Sequence, residues 1–120
     1  MSPRLSTDER MAQLIFADIY PLYVNKVEAK GRTEEDLLKV IRWLTGFTKA
    51  QVNKHIRKGS TFKEFFAEAK INPKAKKITG VVCGIRVEDV KNPLTRKGRY
   101  MDKLIDELAR GKKMESILRT

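Results

Sequence analysis

The sequence predicts a mainly α-helical protein, a compact bundle of five to seven short helices, with a short strand or hairpin as the alternative to a helix near residues 78–88. Two patterns favour helices. Residues that cap helix N-termini precede apolar side chains spaced three and four positions apart, as on one helix face. Glycines then follow several of these segments, where helices commonly end in a left-handed residue. The length of 120 residues suits a single domain over residues 1–120, with residues 1–10 expected to be loose.

Two predicted helices occupy the middle of the chain. Thr33 is an N-cap candidate for the first of them, and Gly46 offers it a left-handed end. Thr48 and Gln51 have the spacing of a capping box, so the second helix is expected to run to Gly59. The apolar face of the first helix consists of Leu37, Val40, Ile41 and Leu44.

Three further segments are expected to be helical. Thr61 begins another capping box, and the aromatic residues behind it are expected in the core before Pro73 ends the segment. An apolar stripe ends at Gly111, and a last short turn of helix covers residues 114–118. Near the N-terminus, Pro21 is expected to break or kink the first apolar run, and a new helix is expected to start there. The apolar residues of these segments are Phe62, Phe65, Phe66 and Ala69, then Met101, Leu104, Ile105 and Leu108, and Met11, Leu14, Ile15 and Ile19.

One apolar stretch, residues 78–90, fits two structures. Its branched residues have helical spacing, but alternate positions from Val81 to Val87 also fit a strand. We favour a helix, in which Gly80 and Gly84 share one face, whereas a strand would make them turn glycines. Cys83, the only cysteine, is expected to be a small buried side chain.

The positive charge of the chain is concentrated in one region. The formal net charge is +11, and residues 49–77 hold nine basic and only two acidic side chains. Clustered Lys and Arg release condensed counterions when they bind a polyanion, so nucleic acid or another polyanion is the natural partner. The alternative is that the surplus charge only keeps the protein soluble. The candidate contact residues are Lys54, Arg57, Lys58, Lys74, Lys76 and Lys77.

The two middle helices and the tight turn at residues 45–48 have the form of a helix-turn-helix. A plain helical hairpin with a solvated basic face is favoured over it, because Arg42 and Thr45 do not suit close packing of the first helix. If Val52 and Ile56 point inward, the outward side chains are potential donors to phosphates and guanine edges. These donors are Gln51, Lys54, Arg57 and Lys58.

No motif of a catalytic or cofactor site is present, so the sequence favours a non-enzymatic protein without a cofactor. His55 is the only histidine, which excludes multi-histidine metal sites, and it is expected to be partly exposed on the surface. A single cysteine suits a reducing compartment. Because neither a signal peptide nor a membrane-spanning stretch is found, the expected location is the cytoplasm, with no membrane partner.

Two other functions stay open. The apolar helix face over residues 101–118 would suit a protein-interaction or assembly domain. A pocket for a small anion could instead be lined by tyrosine, tryptophan and arginine side chains, although the arginines would be equally well explained by ion pairs with Glu88 and Asp102. Trp43 is expected to be largely buried at the edge of the core, with a partner for its indole N–H. The candidate pocket residues are Tyr20, Tyr23, Arg42, Trp43, Arg86, Arg99 and Tyr100.

Six sequence motifs resemble an uncharacterised bacterial family known as domain of unknown function 2200, over nearly the whole chain. They are Tyr20-Pro21-Leu22-Tyr23, Lys30-Gly31-Arg32-Thr33, Ile41-Arg42-Trp43-Leu44-Thr45-Gly46, Phe65-Phe66-Ala67-Glu68-Ala69, Ile78 to Glu88 with Cys83-Gly84, and Arg99-Tyr100-Met101-Asp102-Lys103-Leu104. The resemblance implies a single compact bacterial cytosolic domain, and it implies no activity or ligand. In that family the helix after the Thr-Gly turn is richer in Glu and Gln than residues 49–58 are here. Nucleic-acid binding is therefore expected of this member rather than of the family.

Overall fold

Seven α-helices and one β-hairpin make up the part of the chain that the computed structural model describes, residues 6–119. The helices are α1 (Thr7–Gln13), α2 (Phe16–Glu28), α3 (Glu34–Thr45), α4 (Lys49–Lys58), α5 (Phe62–Glu68), α6 (Pro93–Ala109) and α7 (Met114–Ile117). Two 3-10 helices, Pro73–Lys77 and Val87–Asp89, flank a hairpin of β1 (Val81–Val82) and β2 (Ile85–Arg86). The predicted mainly α-helical fold is confirmed. Within this part of the chain, no helix combines the length and the apolar character that crossing a membrane requires.

The predicted boundaries of α3, α4 and α5 are confirmed by their caps. The side chains of Thr33, Thr48 and Thr61 each accept a hydrogen bond from the backbone N–H three residues on, and the side chain at that position accepts one from the backbone N–H of the threonine. Each reciprocal pair satisfies two donors that the first turn of a helix leaves free. Gly46 and Gly59 end α3 and α4 with φ values of 73° and 70°, a left-handed conformation that costs glycine little.

The prediction that Pro21 breaks a helix is wrong. Helix α2 continues through Pro21, whose fixed φ is helical and which removes a single backbone hydrogen bond. The break lies upstream, between α1 and α2, because backbone groups there pair with a distant segment. The N–H of Phe62 donates to the carbonyl of Leu14 at 2.7 Å, and the N–H of Phe16 donates to the carbonyl of Ser60 at 2.9 Å.

The helix favoured over residues 78–90 is wrong, and the hairpin alternative is confirmed. Val82 pairs with Ile85 across a two-residue turn formed by Cys83 and Gly84, whose φ values are 52° and 75°. Two consecutive positive φ values match the right-handed twist of a hairpin and exclude a helix. Cys83 is exposed at this turn, so its predicted burial is also wrong.

Aromatic side chains from three parts of the chain meet in the core. Phe16 of α2 stacks on Phe65 of α5 with ring centroids 4.2 Å apart, and the edges of Phe47 and Phe66 approach Phe65 at 5.1 Å. The apolar stripe of α6 is completely buried against this cluster, and so is Ile117 of α7. The core positions predicted for α3, α5 and α6 are therefore confirmed.

Helix α1 is attached to α6 by one apolar and one polar contact. Met11 packs against Gly98, where an added Cβ would lie 2.6 Å from the methionine sulfur, so glycine permits the close approach. The hydroxyl of Thr95 donates to a carboxylate oxygen of Asp8 at 2.6 Å. Of the residues expected to be loose, 7–10 lie in α1, and 1–5 lie outside the described residues.

Candidate functional site

The candidate contact residues of α4 share its solvent side. Lys54, Arg57 and Lys58 are exposed, whereas Val52 and His55 are buried on the opposite side. Helix α4 contains no acidic residue. No carboxylate lies within 4.0 Å of these three cations among the described residues. This side of α4 therefore presents unneutralised positive charge to solvent.

The other three candidates, Lys74, Lys76 and Lys77, are exposed on the first 3-10 helix. Asn72 attaches that helix to the end of α3. Its side-chain oxygen accepts from the N–H of Lys74 at 2.9 Å, and its side-chain nitrogen donates to the carbonyl of Trp43 at 3.3 Å. The structure therefore brings the beginning of the lysine-bearing segment to the C-terminal end of α3.

A cleft of about 440 Å³ lies on the exposed side of α3, next to this attachment. Lys39 and Arg42 are exposed at the cleft, and Trp43 lies beside them, half-buried at the edge of the core. The predicted burial of Trp43 is therefore only partly met, and within residues 6–119 no group accepts a hydrogen bond from its indole N–H. We call this site the Trp43 cleft; its lining residues are Lys39, Arg42, Trp43, Gly46, Phe47 and Leu118.

Further cations border the Trp43 cleft. Lys49 lines an adjoining cavity together with Lys39 and Arg42, and Lys113 lines another with Lys39. Lys39, Lys49 and Lys113 are not among the contact residues that the sequence predicts. The helical period alone predicts that Lys39 lies opposite the buried face of α3. Lys113, in contrast, is brought next to the Trp43 cleft only by the tertiary fold. Three carboxylates, those of Glu35, Asp36 and Glu115, also line these adjoining cavities.

The seven candidate pocket residues do not share one cavity. Arg42 and Trp43 line the Trp43 cleft, whereas Tyr23 and Arg99 line a separate cavity of about 390 Å³ between α1, α2, α5 and α6. The remaining three lie elsewhere. The hydroxyl of Tyr20 donates to Glu34 at 2.6 Å, Arg86 is exposed and pairs with Glu88 at 3.8 Å, and Tyr100 packs half-buried against the core.

Tyr23 and Arg99 hold a buried carboxylate in that second cavity. The hydroxyl of Tyr23 donates to one oxygen of Asp102 at 2.8 Å, and a terminal nitrogen of Arg99 lies 3.4 Å from the other. Burial raises the pKa of Asp102, and burial together with the neighbouring carboxylate raises the pKa of Tyr23. Nε of Arg99 is buried without a partner among the described residues. The ion pair expected between Asp102 and an arginine is confirmed.

His55 is buried, which contradicts the prediction of a partly exposed histidine. Its Nδ1 lies 2.7 Å from the Ser60 hydroxyl and its Nε2 lies 2.8 Å from the Glu68 carboxylate. Burial lowers the pKa of the imidazole. Because His55 and Ser60 are each only 1% exposed, this serine–histidine–glutamate group has no access to a substrate and instead ties the end of α4 to α5. Within residues 6–119, no three His, Cys, Asp or Glu side chains converge as ligands for a metal ion.

The apolar helix face proposed for assembly is largely covered by the protein itself. Met101, Leu104, Ile105, Leu108 and Ile117 are fully buried. The large apolar side chains that are exposed in the described part of the chain lie elsewhere, at Leu14, Leu22 and Val81. The structure therefore leaves this face little surface with which to bind a partner.

Comparison with known proteins identifies relatives but no activity. The crystal structure of an uncharacterised protein designated SP1917 is similar, with 34% sequence identity and a TM-score of 0.86 over 97% of this chain and 94% of that chain. No curated protein matches the chain at a significant level. The family described as an uncharacterised protein conserved in bacteria, domain of unknown function 2200, matches residues 10–119. Since this match covers most of the sequence, the chain belongs to that bacterial family.

Proposed function

We propose that this protein is a non-enzymatic cytoplasmic module that binds nucleic acid through the basic surface of residues 49–77. One observation carries the proposal. Among the described residues, no lysine or arginine of residues 49–77 forms an ion pair. The lysines and arginines that do form ion pairs all lie elsewhere in the chain. The nine lysines and arginines within that region therefore keep their full charge for a polyanion.

The contrast with the rest of the surface supports a dedicated binding region. On α6, Asp106 lies 3.5 Å from Lys26 and 2.9 Å from Arg110. Glu107 similarly lies within 3.4 Å of Lys112 and 2.8 Å of Arg119. If the charge served only solubility, the unpaired cations would not need to be confined to one region, because mixed and paired charges keep a surface hydrated equally well.

The salt dependence of binding tests this proposal. We would measure the affinity of the protein for mixed-sequence DNA and RNA by fluorescence anisotropy over a series of potassium chloride concentrations. Each phosphate contact contributes about −0.9 to the slope of log affinity against log salt on duplex DNA. If the two lysines contact phosphates, K54Q/K58Q should make that slope shallower by about 2 and should weaken binding of both nucleic acids.

The matched control is K30Q/K91Q. Lys30 and Lys91 are exposed, lie outside residues 49–77 and have no ion-pair partner among the described residues, so this variant loses the same net charge. We expect its salt slope to stay close to that of the wild type. An equal loss of affinity in both variants, or no binding to either nucleic acid at low salt, would contradict the proposal.

A further inference from the structure

We propose that the protein binds single-stranded nucleic acid through one further contact, a base that stacks on Trp43 inside the Trp43 cleft. This inference rests on the proposed function. It is suggested by an aromatic ring that lines an open cleft and is flanked by two exposed cations on the same helix, Lys39 and Arg42. An aromatic platform beside positive charge is the usual arrangement of single-strand binding sites.

Trp43 is held on a rigid support. Its carbonyl accepts a hydrogen bond from Asn72, and the helix that carries it ends immediately afterwards at Gly46. An added Cβ at Gly46 would lie 3.1 Å from the carbonyl oxygen of Lys70, so the chain passes closely over this end of α3. The N–H of Lys70 also donates to the carbonyl of Thr45 at 2.9 Å. Because the backbone that carries the indole is already fixed in this way, little main-chain freedom is lost when a base stacks on the ring.

The charges around the ring are suited to a phosphate backbone. Nε of Arg42 donates to the carbonyl of Phe47 at 3.3 Å, which orients the guanidinium and leaves its terminal nitrogens available. Lys39 lies one helical turn before Trp43, and among residues 6–119 no carboxylate lines the Trp43 cleft itself. Glu35, Asp36 and Glu115 in the adjoining cavities would repel phosphates, so the favourable tract is limited to a few nucleotides.

The interior bases of a duplex cannot stack on this ring. The bases of a duplex are paired and stacked on each other, and their edges are reached only through the grooves. A flexible single strand can place one unstacked base against the indole while its phosphates contact Lys39 and Arg42. Stacking of this kind tolerates any base, because every base has a π face.

The fluorescence of Trp43 provides a direct test, because it is the only tryptophan in the chain. We would titrate the wild-type protein with oligothymidylate and, separately, with a blunt DNA duplex containing the same number of phosphates. Oligothymidylate is expected to quench the tryptophan emission as it binds, whereas the duplex, followed by anisotropy of a terminal label, should bind without comparable quenching.

Two variants complete the test. W43L should weaken oligothymidylate binding by about 5- to 150-fold, the range expected for one lost stacking contact, with duplex affinity unchanged. W43F should keep most of the affinity, because the phenyl ring still offers a stacking face. Salt-dependent binding of oligothymidylate without quenching would overturn this inference and leave the proposed function standing. If neither nucleic acid binds, both proposals fail. The quenching measurement on the wild type needs no variant to fold.

Discussion

Burial and nearby charges together determine the protonation of His55. Burial of the imidazole lowers its pKa below the ordinary value of 6.5, and Lys58 and Lys54 lower it further, whereas the carboxylate of Glu68 raises it. The unfolded chain therefore binds a proton at a pH where the folded protein does not. Because the stability of a protein rises with increasing pH wherever the unfolded state binds more protons, His55 destabilises the fold in mild acid.

We expect the free energy of unfolding to decrease as the pH falls below about 6.5, with the contribution of His55 fully favourable above that value. The measurement is urea unfolding at a series of pH values between about 7.5 and 5.5. His55→Gln should flatten the curve in this window, because the titrating group is gone even if the variant is less stable overall.

Glu68→Gln provides the opposite control. Removing the carboxylate takes away the charge that raises the pKa of His55, so the folded-state pKa should fall further. The loss of stability between neutral and mildly acidic pH should then be larger than in the wild type. A smaller loss would show that the Glu68 carboxylate does not act on His55 in this way.

The exposure of single side chains was the least predictable property of this sequence. With Val52 and Ile56 taken as the inward pair of α4, His55 was expected at the surface, but the helix turns Val52 and His55 inward and leaves Ile56 half-buried. Which side chains of a helix face the core can shift by this amount, depending on the residues that pack against the helix. Cys83 was misjudged for another reason, since the apolar residues around it hid a turn that needs two positive φ values.

At the scale of elements, a buried ion pair fastens the C-terminal part of the chain. Two nitrogens of Arg119 donate to the two oxygens of Glu107 at 2.9 and 2.8 Å, and both side chains are largely buried. Arg119 also donates to the carbonyls of Ile117 and Lys77. One guanidinium thus connects α6, α7 and the first 3-10 helix.

We expect Arg119→Ala to lower the free energy of unfolding by about 3 kcal/mol, the low end of the range for a broken buried pair, because the buried Glu107 carboxylate then keeps only Lys112, at 3.4 Å, as a charge partner. Urea denaturation would measure the loss. The control is Arg110→Ala, which removes an arginine that is 78% exposed and should cost no more than about 1 kcal/mol. The double variant E107M/R119M should recover much of the stability, since an apolar pair of similar volume leaves no buried charge. A double variant as unstable as Arg119→Ala would contradict this explanation.

The elements themselves were predictable where the signal is local. Each of the boxes at Thr33, Thr48 and Thr61 lies within four residues, and all three start helices as expected. The break before α2 was not predictable, because it depends on pairing of the Leu14 and Phe16 backbone with residues more than forty positions later. Pro21 is the stronger local signal, and it was misleading because packing of the buried face of α2 outweighs one lost hydrogen bond.

For the whole molecule, the dominant physical feature is a net charge of +11 with an unpaired concentration of cations in residues 49–77. Like charges held close together destabilise the compact state. Salt screens this repulsion with a Debye length of about 10 Å at 0.1 M, so it weakens the repulsion between neighbouring exposed lysines.

We therefore expect the melting temperature to rise when potassium chloride is increased from low to moderate concentration in the absence of nucleic acid. Circular dichroism at 222 nm, the ordinary helix signal, would follow the transition. K54Q/K58Q should start with a higher melting temperature and gain less from salt, because part of the repulsion has been removed. A melting temperature that falls with salt would mean that the ion pairs of α6 outweigh the repulsion.

The candidate site could be predicted only in part from the sequence, because some of its residues are brought together by the tertiary fold. The basic composition of residues 49–77 is visible in the primary structure, and the structure shows these side chains exposed. The Trp43 cleft, in contrast, combines α3 with Leu118, and Lys113 of the same C-terminal region lines the next cavity. No local pattern connects residues that lie about seventy positions apart.

The attachment of α1 to α6 also sets an order of events during synthesis. Asp8 and its partner Thr95 are 87 residues apart. At a translation rate of about 5–20 residues per second, roughly 4–17 seconds pass between their incorporation into the chain. Throughout that interval Met11 has no Gly98 to pack against. Of the described helices, α1 is therefore made first and yet waits for α6, and the apolar side chain of Met11 lacks this part of its packing surface until Gly98 has been incorporated.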